Sequence, residues 1–258
     1  MNGFLLALGC IGGTVLYAVV GVLVTRKYIH PRVAEGHNDV LVPLFLTAGV
    51  IYAVLLGFIV VTVWESYGAA HANAADEAAT LVPLYRDTFE MVPAEGAQMR
   101  KLLREYAEVV AAEEWPSIRD TGHTVAKARK LSGDMLRLFG TFNPPTKMKE
   151  IISTQFLQTY SQMLMDRNRR VFQASESLSW IMWLGVIGGA VIVIGMSFAL
   201  FMERPTLHVL LAAVMATLIG TSIFMTALLN RPFVGPLAID PGPFESRHIV
   251  FDEIDHGE

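Results

Sequence analysis

The chain has a single cysteine, Cys10, among its 258 residues. One thiol excludes an intramolecular disulfide and any multi-cysteine zinc or iron–sulfur site. Charge is scarce too: Asp, Glu, Lys and Arg supply 17% of the residues against 53% hydrophobic, and the formal net charge is only −4. This balance excludes the strongly basic surface of a nucleic-acid binder, so no nucleic acid is expected as a partner. The short motifs that carry much enzyme chemistry are missing as well, with no GxGxxG, GxxxxGK[ST], HExxH, GxSxG or CxxC. The histidines are scattered at positions 30, 37, 71, 123, 208, 248 and 256 without a credible ligand pair. Asp252, Glu253, Asp255 and Glu258 could offer oxygens to calcium, but they lack the EF-hand spacing and its glycine, which favours a plain acidic tail. No catalytic residues, metal site or cofactor are expected, and the chain is read as not an enzyme.

Long apolar runs are what the sequence has in excess, and the mean hydropathy is +0.44. Four runs are long enough to span a bilayer: Gly3–Thr25, Leu41–Trp64, Trp180–Phe201 and Leu207–Leu229. His208 is the only ionisable basic group within them. The first run has no basic stretch before it and meets RKYIHPR rather than a small-residue cleavage site, so it reads as a retained helix. The expected fold is all-α: a transmembrane hairpin over 1–64, a helical extramembrane domain over 65–179, a second hairpin over 180–229, and a proline-rich strap with an acidic tail over 230–258. The lipid bilayer is the expected surroundings.

The second run carries the functional pattern. LVPLFLTAGVIYAVLLGFIVVTVW is free of charge and continues into ESYGAAHANAADEAATLV without a turn signal. One helix is expected to leave the membrane and continue to about Met91, with Gly68 and Pro83 as weak points. At about 100° per residue, Gly49, Ala53, Gly57 and Val60 gather on one side, where small residues let membrane helices approach closely. Ile51, Leu55, Phe58, Thr62 and Glu65 gather on the opposite side, and Asp76 extends that stripe. A stripe that turns acidic where the membrane ends suits a pore lining. An ordinary interfacial role for Glu65, next to Trp64, is the alternative.

Between Ser66 and Leu178 there are 14 acidic and 14 basic residues, which cancel. Met99, Leu102, Leu103, Tyr106 and Val110 recur at helical spacing, and a further helix is expected over about 124–139. Trp115-Pro116 marks an expected boundary, with Glu114 as a packing corner. A long helix from about Thr146 is expected to feed the third span. Arg167, Arg169 and Arg170, ahead of that span, are candidates for an anion-attracting ring in an oligomer; the alternatives are lipid phosphates or glutamates of the bundle as partners. Prolines at 232, 236, 241 and 243 suggest an extended strap, ending in a mobile acidic tail. The short connectors place both termini and the helical domain on one side, but basic residues flank both faces almost equally and do not fix which side.

The order of the landmarks is GVIYAVLLGFIVVTVWESY, EAATLVPLYR, an EEWP corner, RNRR before the third span, and a closing NRPFVG. It resembles the bestrophin-like membrane proteins of the DUF4239 family over Gly3 to Phe244. The closing motif departs from that pattern where Asn230 or Arg231 stands in place of an expected acid. Architecturally the chain resembles bestrophins, which implies a homo-oligomeric ion channel, on the bestrophin pattern a homopentamer, in a bacterial cell membrane, its second span lining the pore and its helical domain in the cytosol. Calcium gating is not carried over, because the dense acidic clasp of the animal members is missing. Acidic rings lean the expected selectivity towards monovalent cations among inorganic ions. The competing reading is a non-conducting scaffold or sensor whose helical domain binds a partner.

Overall fold

The computed structural model describes residues 3–28, 36–144 and 146–256; His30, Arg32 and Glu258 lie outside them. Among the described residues every regular element is helical, and four helices are long and apolar enough to cross a membrane. The chain divides into two compact units, residues 1–65 with 177–230 and residues 66–176 with 231–258.

In the first unit, α1 (Gly3–Ala7) passes through a π turn at Leu8–Gly12 into α2 (Gly13–Tyr28). The Thr14 hydroxyl lies 2.9–3.0 Å from the carbonyls of Cys10, Ile11 and Ala216, which ties α2 to the fourth span, α9 (Pro205–Leu229). The second span belongs to α3 (His37–Asp87) and the third is α8 (Trp180–Ala199). Close approach of an aromatic ring depends on glycine at two places. The Tyr52 ring sits on Gly189 and the Phe198 ring on Gly21, where any Cβ would overlap the aromatic ring. Tyr52 then reaches past Gly189 to donate a 3.0 Å hydrogen bond to the Val186 carbonyl. At the other end of these helices Asn38 exchanges two hydrogen bonds with Phe201, of 2.8 and 2.9 Å, and Arg26 donates to the Met202 carbonyl.

In the second unit, α3 contributes Ala70, Ala74, Ala78, Leu81 and Leu84 to a core. It packs with α4 (Pro93–Val109), α5 (Trp115–Thr121), α6 (Ala126–Phe139) and α7 (Lys147–Ser175). The helical spacing in α4 is realised: Met99, Leu103, Tyr106 and Val110 are buried and Leu102 is partly so. Pro83 does not end α3, which runs unbroken for 51 residues.

Three expectations change. Trp115-Pro116 is no boundary, because a π turn at Val110–Glu114 carries the chain from α4 into α5. A wider turn moves the preceding carbonyls away from the position a proline ring would strike, and Pro116 falls in the first turn, where its missing N–H is harmless. The helix from Thr146 does not feed the third span. It ends at Ser175, and α8 starts anew with Ser179 as its cap while the Leu178 N–H donates to Asn230 Oδ1 at 2.6 Å. Asn230 thereby has a use where the resemblance called for an acid, since an amide oxygen accepts this bond without bringing a charge. The strap and tail, finally, are not simply extended. Turns follow Asn230, but α10 (Gly242–Glu245) and α11 (Arg247–His256) are helical, with Pro243 tolerated in a first turn.

The tail helix is docked rather than loose. Phe251 is buried and stacks on Tyr85 at 4.2 Å, and Arg104 pairs with Asp252 and Asp255 at 2.8 Å each. Burial pushes the Asp255 carboxyl up, but hydrogen bonds from Tyr85 and Arg104, together with the charges of Arg104 and Arg100, outweigh it and hold it below its usual value. A lowered folded-state pKa gives stabilisation that is complete above the unfolded value, about 3.9, and fades as pH falls below it. Hydrogen exchange across Arg247–His256, corrected for intrinsic rates, should therefore rise as pH drops through that range. Asp255→Asn should show the same rise at neutral pH. Equal protection in the variant and wild type would remove Asp255 from the docking contact.

Candidate functional site

The second span turns one face inward and leaves the rest uncovered by its own chain. Tyr52 and Leu56 are buried in the first unit's core, and Val63 is buried as well. Ile51 (65% exposed), Phe58 (72%) and Trp64 (61%) are not. Thr62 and Glu65 are exposed on the same stripe, and the Thr62 hydroxyl donates back to the Phe58 carbonyl at 2.9 Å. Leu55 is half-covered, because its methyls rest on Gly185 of α8. The expected stripe of Ile51, Leu55, Phe58, Thr62 and Glu65 thus lies largely free. The small-residue face is open at Gly49 and Gly57, where nothing lies within 4 Å of a built Cβ, while Val60 at its end packs on the first unit's core.

In the second unit Asp76 is exposed and borders a shallow hollow of about 340 Å³, lined also by Ala79, Thr80, Pro83, Gln162 and Asp166. The buried Asp166 carboxylate there accepts two 3.0 Å hydrogen bonds from Gln162 Nε2.

The arginines call for a correction. Arg169 is exposed, but Arg167 and Arg170 are buried inside the bundle, so two of the three ring candidates face carboxylates and not an axis. Arg170 donates from Nε to Glu77 Oε2 at 2.6 Å and from Nη2 to Glu77 Oε1 at 3.1 Å and Glu114 Oε1 at 2.8 Å. Arg167 Nη2 donates to Glu114 Oε2 at 2.7 Å, and the Tyr106 hydroxyl donates to Glu77 Oε1 at 2.6 Å. The Arg170 guanidinium also lies 5.1 Å from the Trp115 ring centre and 5.7 Å from that of Phe244. Burial pulls the Arg170 pKa down, but the Glu77 and Glu114 carboxylates outweigh it and hold it above its ordinary value. Burial, then the Glu77 charge, pushes Tyr106 well above its ordinary value, so it stays a neutral donor.

Two carboxylates and two guanidiniums cancel, and all four carboxylate oxygens are occupied. A cluster saturated in this way has no free oxygen for a cation and no free base for catalysis; its chemistry is to lock α3, α7 and the π turn together. Sequence reasoning gave Glu114 a packing corner and placed Glu77 on a solvated helix face, where the structure buries it. The signal was there: Glu77 falls three residues after Ala74 and four before Leu81, on the buried side of α3. EAATLVPLYR, EEWP and RNRR, scattered along the chain, contribute Glu77, Glu114, Arg167 and Arg170 to this one site, while NRPFVG brings Phe233 edge-on to Trp115 at 5.5 Å. Among the described residues no group of three or more His, Cys, Asp or Glu side chains is placed to hold a metal ion.

Comparison with known proteins agrees with this architecture. A bestrophin-like domain model matches residues 12–244. The fold is similar to the crystal structure of a membrane protein bearing a point substitution, with a TM-score of 0.64 at 12% identity over 96% of this chain and 97% of that one. It is similar also to a point variant of a bacterial bestrophin homologue from Klebsiella pneumoniae, with a TM-score of 0.57 at 14% identity over 96% of this chain and 98% of that one. No curated protein matches. With four membrane-length helices and a family match over most of its length, the chain is a multi-pass integral membrane protein of the bestrophin-like family.

Proposed function

We propose that this chain is one subunit of a homo-oligomeric ion channel, with the second spans surrounding the pore. The observation that carries this reading is the uncovered stripe on α3, apolar from Ile51 to Phe58 and acidic at Glu65, in a chain of the bestrophin-like family. Leu55 and Phe58 form an apolar neck; Glu65, and Asp76 further along the same helix, form acidic rings. Rings of carboxylates concentrate cations, and selectivity leans towards monovalent ones. A pentamer in a bacterial inner membrane, with the helical domain in the cytoplasm, completes the reading; the membership of the family supports it. Arg167 and Arg170, bound to Glu114 and Glu77, take no part in the conduction path.

Purified protein in planar bilayers tests this. Under a potassium chloride gradient the reversal potential should lie towards the potassium equilibrium potential, and Glu65→Gln should move it towards zero. A reversal potential untouched by Glu65→Gln would take Glu65 out of the filter, and an absence of current from a closed, ring-shaped assembly would favour the scaffold.

A further inference from the structure

The first four turns of α7 carry no charge beyond Glu150. From Ile151 to Met165 there are 15 consecutive residues without Asp, Glu, Lys, Arg or His, in a domain where 28 of the 113 residues from Ser66 to Leu178 are charged. Half of such a helix is buried, as it should be: Phe156, Tyr160 and Met163 enter the core. The other half is open, with Ile151, Leu157, Gln158, Ser161, Met165 and Phe172 all exposed. A helix face in water ordinarily carries charge, whereas the centre of a protein interface is poor in charge and rich in Met, Phe and neutral polar groups.

We infer that this face of α7 is an interface with a second copy of the chain. The inference rests on the oligomeric reading above and names where its extramembrane contact lies. Area supports a partner already held by other contacts. The strip from Ile151 to Met165, which stops short of the exposed Arg169, is about 20 Å long at 1.5 Å per residue and about 10 Å wide, some 200 Å² of helix surface. That is under half of the roughly 800 Å² per partner in a stable interface. A separate protein would have to bind on this strip alone. A second copy would not, because the uncovered Gly49 and Gly57 face of the second span offers it further contact. A membrane surface would select basic residues, which this strip lacks. A ring requires heterologous contacts, so the strip should meet a different face of its neighbour.

The test uses the full chain in detergent. Leu157→Glu and Met165→Glu, singly and together, are compared with Gln98→Glu, an equally exposed position on the charged side of the domain. Light scattering coupled to gel filtration should show the paired variant shifted from the oligomer towards the single chain, with helix content and melting unchanged, while Gln98→Glu keeps the wild-type mass. Since the charged variants could also fold badly, a photocrosslinking amino acid at Leu157 in otherwise wild-type protein gives a second readout and should yield chain-to-chain adducts, with none from position 98. Retention of the wild-type mass by folded variants, or adducts only to lipid or to another protein, overturns the α7 interface. If the wild type still conducts as an oligomer in that case, the channel reading survives alone. A wild type that is a single chain overturns both.

Discussion

Arg170→Ala is expected to destabilise the second unit by about 3–5 kcal/mol, the usual consequence of removing one partner from a buried ion pair. Small domains have only about 5–15 kcal/mol in total, so the variant should lose most of its folded population on mild heating. The reason is geometric. The guanidinium holds Glu77 by two hydrogen bonds and Glu114 by a third, and without it both carboxylates stay buried with too few donors. Arg170→Lys should rescue little, because one ammonium cannot reproduce a planar fork that spans two carboxylates. Arg170→Met combined with Glu77→Leu should be less damaging than the sum of the two single changes, since removing both charges leaves fewer groups unpaired. Urea unfolding of wild type, singles and double in the same detergent reads this coupling. A loss under about 1 kcal/mol for Arg170→Ala, as a surface pair would give, would mean the cluster is open to water.

The second large effect is expected at Phe58. As a ring of five phenyl groups it would close the path by excluding water, since an ion cannot cheaply leave its hydration shell for an apolar neck. Phe58→Ala should raise open probability about tenfold, which needs only about 1.4 kcal/mol of lost closing free energy across the assembly. Ion preference should not move, because the filter proposed above is the carboxylate rings and not the apolar neck. The side chain is mostly exposed in the single chain, so a simple loss of protomer stability is not expected to mimic the effect. Single-channel recording under matched conditions decides, with normal assembly checked first. Unchanged opening would leave Phe58 as a contact residue and place the gate elsewhere.

The spans were legible because a bilayer demands length and apolarity, both of which can be counted in a sequence. The run from Leu41 through Leu81 was legible as one helix for a local reason: nothing in it offers the chain a turn. Spacing to Ala74 and Leu81 marks Glu77 as facing inward, but the partners of Glu77 and Glu114 were not legible, and the cause is physical. A buried charge is tolerated only when its partner arrives from elsewhere, and those partners lie 93 and 56 residues away at Arg170. Arg167 and Arg170 looked like surface charges for the same reason. The break before the third span was hidden too, because ASESLSW contains no proline or glycine. Its cause is tertiary, the Asn230 side chain taking the Leu178 N–H. The tail misled in the opposite direction: prolines that look like a strap stop at Pro243, and the helix beyond is held by Tyr85 and Arg104.

The last stretch of chain has a consequence for biosynthesis. The Trp115 indole donates to the Ile239 carbonyl at 2.8 Å, Phe244 lies under the Arg170 guanidinium, and Phe251 covers Tyr85. All three come from residues translated after the fourth span. When the ribosome has finished Arg170, the ion cluster can form but its aromatic cover does not yet exist, and the two remaining spans have still to enter the bilayer. Domains that fold as they emerge complete themselves from the N-terminus. This one cannot. Its core lacks Phe233, Ile239, Phe244 and Phe251 until the fourth span has been translated, so a chain stopped at Leu229 would be left with an unfinished second unit, exposing apolar side chains to quality control.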